Sequence, residues 1–126
     1  MKLALFDFDG TITTSDSLIK FIRFAKGDIQ TALGLIILSP VLIFYKLKFI
    51  PNYKAKQWLF SYYFKGMNFT KFDQLANAYS LNYVDSILRP SAIEKIFWHK
   101  QEWHKVAVVS ASIENWIKAW CNINEL

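Results

Sequence analysis

The sequence predicts an α/β protein in which two short parallel strands are separated by a long helical insertion. Three observations predict it. Residues 2–8 form a nearly unbroken apolar run that ends at Asp9-Gly10, and residues 106–109 form a second run, Val-Ala-Val-Val, that ends at Ser110. Runs of this kind suit parallel strands buried on both faces. Between them lies a stretch rich in helix signals, far longer than one crossover helix requires. Residues 14–89 therefore read as an inserted helical subdomain, with residues 1–13 and 90–126 as the α/β core.

Each element follows from local chemistry. After the first strand, Thr14, Ser15 and Asp16 offer N-cap groups for a helix through Leu18, Ile19, Phe21, Ile22 and Phe24, stopped near Gly27. Pro51 sits at a helix start, with Trp58, Leu59, Tyr62 and Tyr63 on the expected apolar side and Gly66 placed to end it. Thr70 is the expected cap of a helix carrying Phe72, Leu75, Ala76, Tyr79 and Tyr83. Pro90 breaks the chain, and Ser91-Ala92-Ile93-Glu94 has the spacing of a capping box. Lys105 leads into the second strand, and residues 114–120 close with a helical pattern.

Composition excludes several classes. Hydrophobic residues make up 53% of the 126 and charged residues 20%, so the chain must bury a core and is not a disordered tail. One cysteine, Cys121, excludes an internal disulfide and a multi-cysteine zinc site, and it reads as a packed residue. His99 and His104, five positions apart, do not share a helix face and read as ordinary surface or core residues. The net charge of +5 is spread without a basic stripe, which predicts no nucleic-acid partner. The opening apolar stretch is too short for a secretory leader and two acids end it, so a cytoplasmic setting is expected.

Residues 29–45 carry no charge. Spanning a bilayer takes about 20 apolar residues, and this run of minimal length contains Gln30, Thr31, Gly34, Ser39 and Pro40. A buried helix pair or a kinked helix within the insertion is the expectation, with membrane association through a hairpin as its rival.

Asp7-Phe8-Asp9-Gly10-Thr11 carries the chemistry. Alternation along a strand puts Asp7 and Asp9 on one side as the strand ends. Two adjacent carboxylates stay ionised only with a compensating cation, and a hard cation, Mg²⁺, suits their oxygens. Asp-Gly is also common hairpin punctuation, but that accounts for Asp9-Gly10 and leaves Asp7 unexplained. The ends of parallel strands are where open α/β sheets build their sites. Ser110 by itself reads first as a cap for the next helix.

Asp7-Phe8-Asp9-Gly10-Thr11-Ile12-Thr13 resembles the first motif of the haloacid dehalogenase superfamily. Val106-Ala107-Val108-Val109-Ser110 resembles its second, and the insertion is similar to the C1 cap of the phosphoserine-phosphatase-like subfamily IB. The resemblance implies an incomplete Rossmannoid core with an inserted helical cap. It implies a Mg²⁺-dependent phosphomonoester phosphatase acting through an aspartyl-phosphate on a small phosphorylated metabolite. By it, Asp7 is the nucleophile and Asp9 the general acid and base, with Mg²⁺ held by Asp7 and the Asp9 carbonyl. Ser110 binds a phosphate oxygen, and the amides of Phe8, Asp9 and Ala111 add donors. Thr11 belongs to the substrate-binding set, and Asp16 matches an acid that contacts a substrate amino group, though it reads equally as a helix cap.

Two departures speak against phosphoserine itself: Gly10 stands for the usual Ser, and Ser110-Ala111-Ser112 for Ser-Gly-Gly. The family's later lysine and acidic pair have no counterpart. After Ser110 there are only Lys118, too early on the next helix, and the acids Glu114 and Glu125. The expectation is therefore the N-terminal part of a longer phosphatase, with little turnover by itself and room for a missing C-terminal segment or a homo-oligomer. The alternatives are a non-catalytic binding remnant, and a protein held at a membrane through residues 29–45.

Overall fold

A computed structural model of the protein describes residues 1–110 and 113–126. Strand β1 (Leu3–Asp7) gives way to a single π-type turn, Phe8–Ile12. Five helices follow: α1 (Ser17–Lys26), α2 (Asp28–Ile37), α3 (Ser39–Lys46), α4 (Asn52–Phe64) and α5 (Phe69–Asn82). A short 3-10 segment, Val84–Ile87, leads to α6 (Pro90–Gln101), β2 (Lys105–Val109) and α7 (Glu114–Ile123). The molecule is mixed α/β and mostly helical.

The strands pair in parallel, in register from Leu3 opposite Lys105 to Asp7 opposite Val109. Both therefore end at one level, and Ser110 follows directly. The expected double-sided burial is not found. Leu3 and Leu5 are each 62% exposed and Val109 is 56% exposed, because nothing among the described residues covers that face. The first strand is also shorter than its apolar run suggested. Phe8 leaves it to enter the core, where its ring meets Trp120 edge-on at 5.5 Å.

The π-type turn is closed by the Thr13 amide, which donates to the Phe8 carbonyl at 3.0 Å. Thr13, itself buried, locks the turn from inside: its Oγ1 accepts from the Gly10 amide at 3.2 Å and donates to the Ser15 carbonyl at 2.7 Å. Gly10 sits at φ 76°, a left-handed conformation in which a side chain would be strained. Two stems join the insertion to the sheet. The Thr14 amide donates to Ile87 at 2.8 Å and the Arg89 amide to Ile12 at 2.7 Å, while the Arg89 guanidinium holds the carbonyls of Gly10 and Thr11 at 3.2 Å.

The core is aromatic. Phe21 of α1 stacks on Trp116 of α7 at 4.4 Å and meets Tyr79 and Phe72 of α5 edge-on at 5.2 and 5.5 Å. Offset and edge-on pairs of this kind add stabilisation beyond buried area, because ring edges are positive and faces negative.

Several helix starts differ from expectation. Asn68, not Thr70, caps α5, its side chain accepting from the amides of Thr70 and Lys71. The capping box at Ser91 is unused because Pro90 already occupies the first helical position, where its missing N–H costs nothing. On α4, Leu59 and Tyr63 are buried, but Trp58 and Tyr62 stay nearly half exposed, since the buried stripe runs through Ala55, Leu59 and Tyr63. The uncharged run is kinked, α2 and α3 meeting at 66°, but it is not a buried pair: much of its apolar surface faces outward. No single helix among the described residues is long and apolar enough to cross a membrane.

Candidate active site

The strand ends bring Asp7 and Ser110 together. Asp7 is exposed at the tip of β1, opposite Val109, and Ser110 is half-buried one residue beyond. The Asp7 carboxylate also caps the turn it opens, its Oδ1 accepting from the Phe8 amide at 2.9 Å. That amide is thus already engaged, in contrast to the expected role as a phosphate donor. The second carboxylate behaves differently. Alternation stops when the strand ends at Asp7, so Asp9 turns inward instead of joining Asp7 on one side. Its Oδ1 accepts from the Ser17 amide at the start of α1, 2.9 Å away. Its Oδ2 meets the Lys56 ammonium at 3.3 Å.

Lys56 was not anticipated. Projecting from α4, it also reaches Asp16 Oδ2 at 3.2 Å, so that one cation bridges two carboxylates. Asp16 holds the α1 N-terminus by accepting from the Leu18 amide at 2.9 Å. Burial pulls the Lys56 ammonium toward neutrality, but Asp16 and Asp9 more than offset it, and the group is held above the usual lysine range. A sequence signal existed: Lys56 adjoins the buried stripe of α4, a helix that contains no acid. A cation on an inner helix face requires a carboxylate from elsewhere.

Beneath this cluster lies a relay of buried polar groups. Trp116 Nε1 donates to Ser17 Oγ at 3.1 Å, and the Tyr79 hydroxyl donates to the Ser17 carbonyl at 3.1 Å. Burial, reinforced by Tyr83, Asp9 and Asp16, pushes the Tyr79 phenol far above its ordinary range. A cavity of about 170 Å³ adjoins the cluster, lined by Asp16, Lys56, Ile19, Leu42, Tyr45 and Leu59. A larger groove of about 450 Å³ between α5 and α7 lies apart from these carboxylates.

The other expected residues divide. Thr11 is exposed, with its carbonyl taken by Arg89. Ala111 lies outside the described residues. His99 and His104 do come together, their Nδ1 atoms 3.0 Å apart. His104 reaches its partner from beyond the helix, after the chain reverses at Trp103 with φ 59°, so helical spacing did not apply. Cys121 is half-buried and its thiol is pushed up by burial, in keeping with a packed residue.

For a divalent cation, the Asp7 carboxylate and the Asp9 carbonyl are hard oxygen donors of the right kind. They form a partial set, because no group of three or more acids, histidines and cysteines gathers among the described residues.

A family model described as haloacid dehalogenase-like hydrolase matches residues 4–125. Protein CicA of Caulobacter vibrioides strain NA1000 / CB15N is 32% identical over 110 residues, covering 87% of this chain and 49% of CicA. CicA from strain ATCC 19089 / CIP 103742 / CB 15 of the same organism matches to the same extent. The chain spans about half the length of the curated relatives it matches. No solved structure matches it significantly. With the family model covering nearly its whole length, the chain belongs to the haloacid dehalogenase-like hydrolases.

Proposed function

We propose that this protein is a Mg²⁺-dependent phosphomonoester phosphatase of the phosphoserine-phosphatase-like subgroup, with residues 14–89 as its helical cap. The observation that carries the reading is the parallel register that ends β1 at Asp7 beside the end of β2, where Ser110 follows. With Oδ1 held by the Phe8 amide, Oδ2 of Asp7 is the oxygen left to attack phosphorus. The attack forms an O–P bond and breaks the ester O–P bond, and the departing alkoxide takes a proton from Asp9. Water then attacks the phosphorus of the aspartyl-phosphate, giving a proton to Asp9; the Asp7 O–P bond breaks, releasing inorganic phosphate and returning Asp7 as a carboxylate. Ser110 supports a phosphate oxygen. Mg²⁺, held in part by Asp7 and the Asp9 carbonyl, supplies charge neutralisation when bound.

Lys56 fits this scheme as a charge that shifts with the substrate. It neutralises Asp9 and Asp16 in the free protein, and an arriving anion competes for it. Drawn toward that anion, it leaves Asp9 free to take up a proton from solvent and pass it to the leaving group. The substrate is a small phosphomonoester in a cytoplasmic setting, and the residues beside the cavity at Asp16 select it.

The test is hydrolysis of para-nitrophenyl phosphate with Mg²⁺ by the full-length protein that contains these residues. Turnover is expected, with a phosphoryl group trapped on protein from a labelled substrate, and both are lost in Asp7→Asn. A full-length protein that folds and is inert toward phosphomonoesters would establish the non-catalytic alternative.

A further inference from the structure

Helix α2 is built inside out. Its buried positions are Thr31 and Gly34, a polar and a small residue. Its large apolar side chains point away from the protein: Ile29 is 78% exposed, Leu33 55%, Ile36 68% and Ile37 61%. These four fall at i, i+4, i+7 and i+8, one continuous stripe along the helix. Helix α3 extends the surface with Ile43 and Phe44, 57% and 50% exposed. A helix that borders water shows the opposite arrangement, so this stripe is made for an apolar neighbour.

Charge identifies that neighbour. No Asp or Glu occurs from residue 29 to residue 72, whereas Lys46, Lys48, Lys54, Lys65 and Lys71 lie exposed there. Lys46 and Lys48 follow directly on the apolar run, and Phe49 and Tyr53 beside them are 75% and 57% exposed. Apolar stripe, aromatic border and cationic margin occur in that order at the boundary of an anionic bilayer. Geometry limits the mode of contact. Ten residues of α2 reach about 15 Å, half of the roughly 30 Å hydrocarbon core, and the 66° bend turns α3 aside. This bent geometry suits a pair lying in the interface better than a straight span.

We propose that the bent α2–α3 pair docks on an anionic lipid bilayer, its stripe among the upper acyl chains and Lys46 and Lys48 at the headgroups. Leu42 and Tyr45 of α3 also line the cavity at Asp16 and Lys56, so docking places one wall of that cavity at the membrane. The proposal is independent of catalysis.

The test is flotation of the full-length protein with vesicles of phosphatidylcholine alone or with three-tenths phosphatidylglycerol. Binding to the mixed vesicles is expected to exceed binding to the neutral ones by about tenfold. It should fall by a similar factor in Lys46→Gln/Lys48→Gln, and be lost in Ile36→Glu/Phe44→Glu. Trp103→Glu, which removes a 91% exposed aromatic beside β2, should bind as wild type. These side chains are exposed, so circular dichroism should show each variant folded. Failure to float with anionic vesicles overturns the proposal, as does equal binding by wild type and both double variants. A dimer in vesicle-free buffer that Ile36→Glu/Phe44→Glu dissociates overturns it as well, by showing that a second copy covers the stripe.

Discussion

Where the loop after β1 touches α4, the Lys56 ammonium lies 3.3 Å from Asp9 and 3.2 Å from Asp16, with its side chain 18% exposed. Asp9, 16% exposed, is poorly screened there, Asp16 at 41% is screened by solvent, and removing the cation leaves the two like charges facing each other. Lys56→Met is expected to cost about 1.5–3 kcal/mol in urea unfolding, the range for losing hydrogen bonds to charged groups, whereas Lys56→Arg should recover most of it. In hydrolysis of para-nitrophenyl phosphate, Lys56→Met should raise KM more than it lowers kcat if the lysine meets the substrate's anion. Unchanged KM would remove Lys56 from the substrate's path. Ser17 makes a second residue-scale case. It is fully buried, its amide holds Asp9 and its hydroxyl accepts from Trp116 Nε1. Ser17→Ala keeps the amide and orphans the indole N–H, at an expected cost of about 1–3 kcal/mol with Asp9 still in place. Thermal melts would show the loss, and an unchanged melting temperature would mean that the indole finds another acceptor.

Between elements, α2 meets α4 where Gly34 faces Tyr63. A β-carbon at Gly34 would collide with the ring and hydroxyl of Tyr63, which donates to the Thr31 carbonyl at 2.7 Å. Gly34→Ala therefore has to displace Tyr63, and overpacking of this kind costs about 1–3 kcal/mol. Tyr63→Phe should lose about 1 kcal/mol by itself and relieve part of the clash, so the double variant should be more stable than the two single losses summed. Strict additivity in urea titrations would show that the ring moves freely. The apposition was not legible in the sequence, since the apolar stripe of α2 is its outward face and periodicity read in the usual way would turn that stripe inward. Helix ends were legible wherever local chemistry carried the signal: Asp16 among the offered caps of α1, Gly27 stopping it, Pro51 opening α4. Asp9 was misplaced because alternation holds only inside a strand, and its backbone already belongs to the π-type turn. Lys56 escaped because its partner is 47 positions away and only the folded chain joins them.

Across the whole molecule, Tyr79 sits where the insertion meets α7. Its hydroxyl holds the Ser17 carbonyl of α1, and its ring contacts Phe21 and Trp116. Ionising that buried phenol would put a charge into the joint between the helical insertion and the α/β part, near the Asp9 and Asp16 carboxylates that already disfavour it. Lys56, in the same region, is likewise held above its ordinary value. Both groups have folded pKa values raised over those of the unfolded chain, 10.0 for tyrosine and 10.5 for lysine. Their stabilisation is therefore complete below those values and is lost as pH rises beyond them, since the unfolded chain gives up protons that the folded one retains. The urea midpoint is expected to be insensitive to these two groups from neutral pH to about pH 10, and to fall steeply above it. Tyr79→Phe removes one of the two and should flatten that decline while leaving Lys56 to produce the remainder. Because the joint is shared by α1, α5 and α7, the alkaline transition should be a single cooperative one by circular dichroism and by tryptophan fluorescence. Loss of tryptophan signal well before the helices melt would show that the insertion and the α/β part come apart separately, and would place the titrating phenol outside the structure that limits stability.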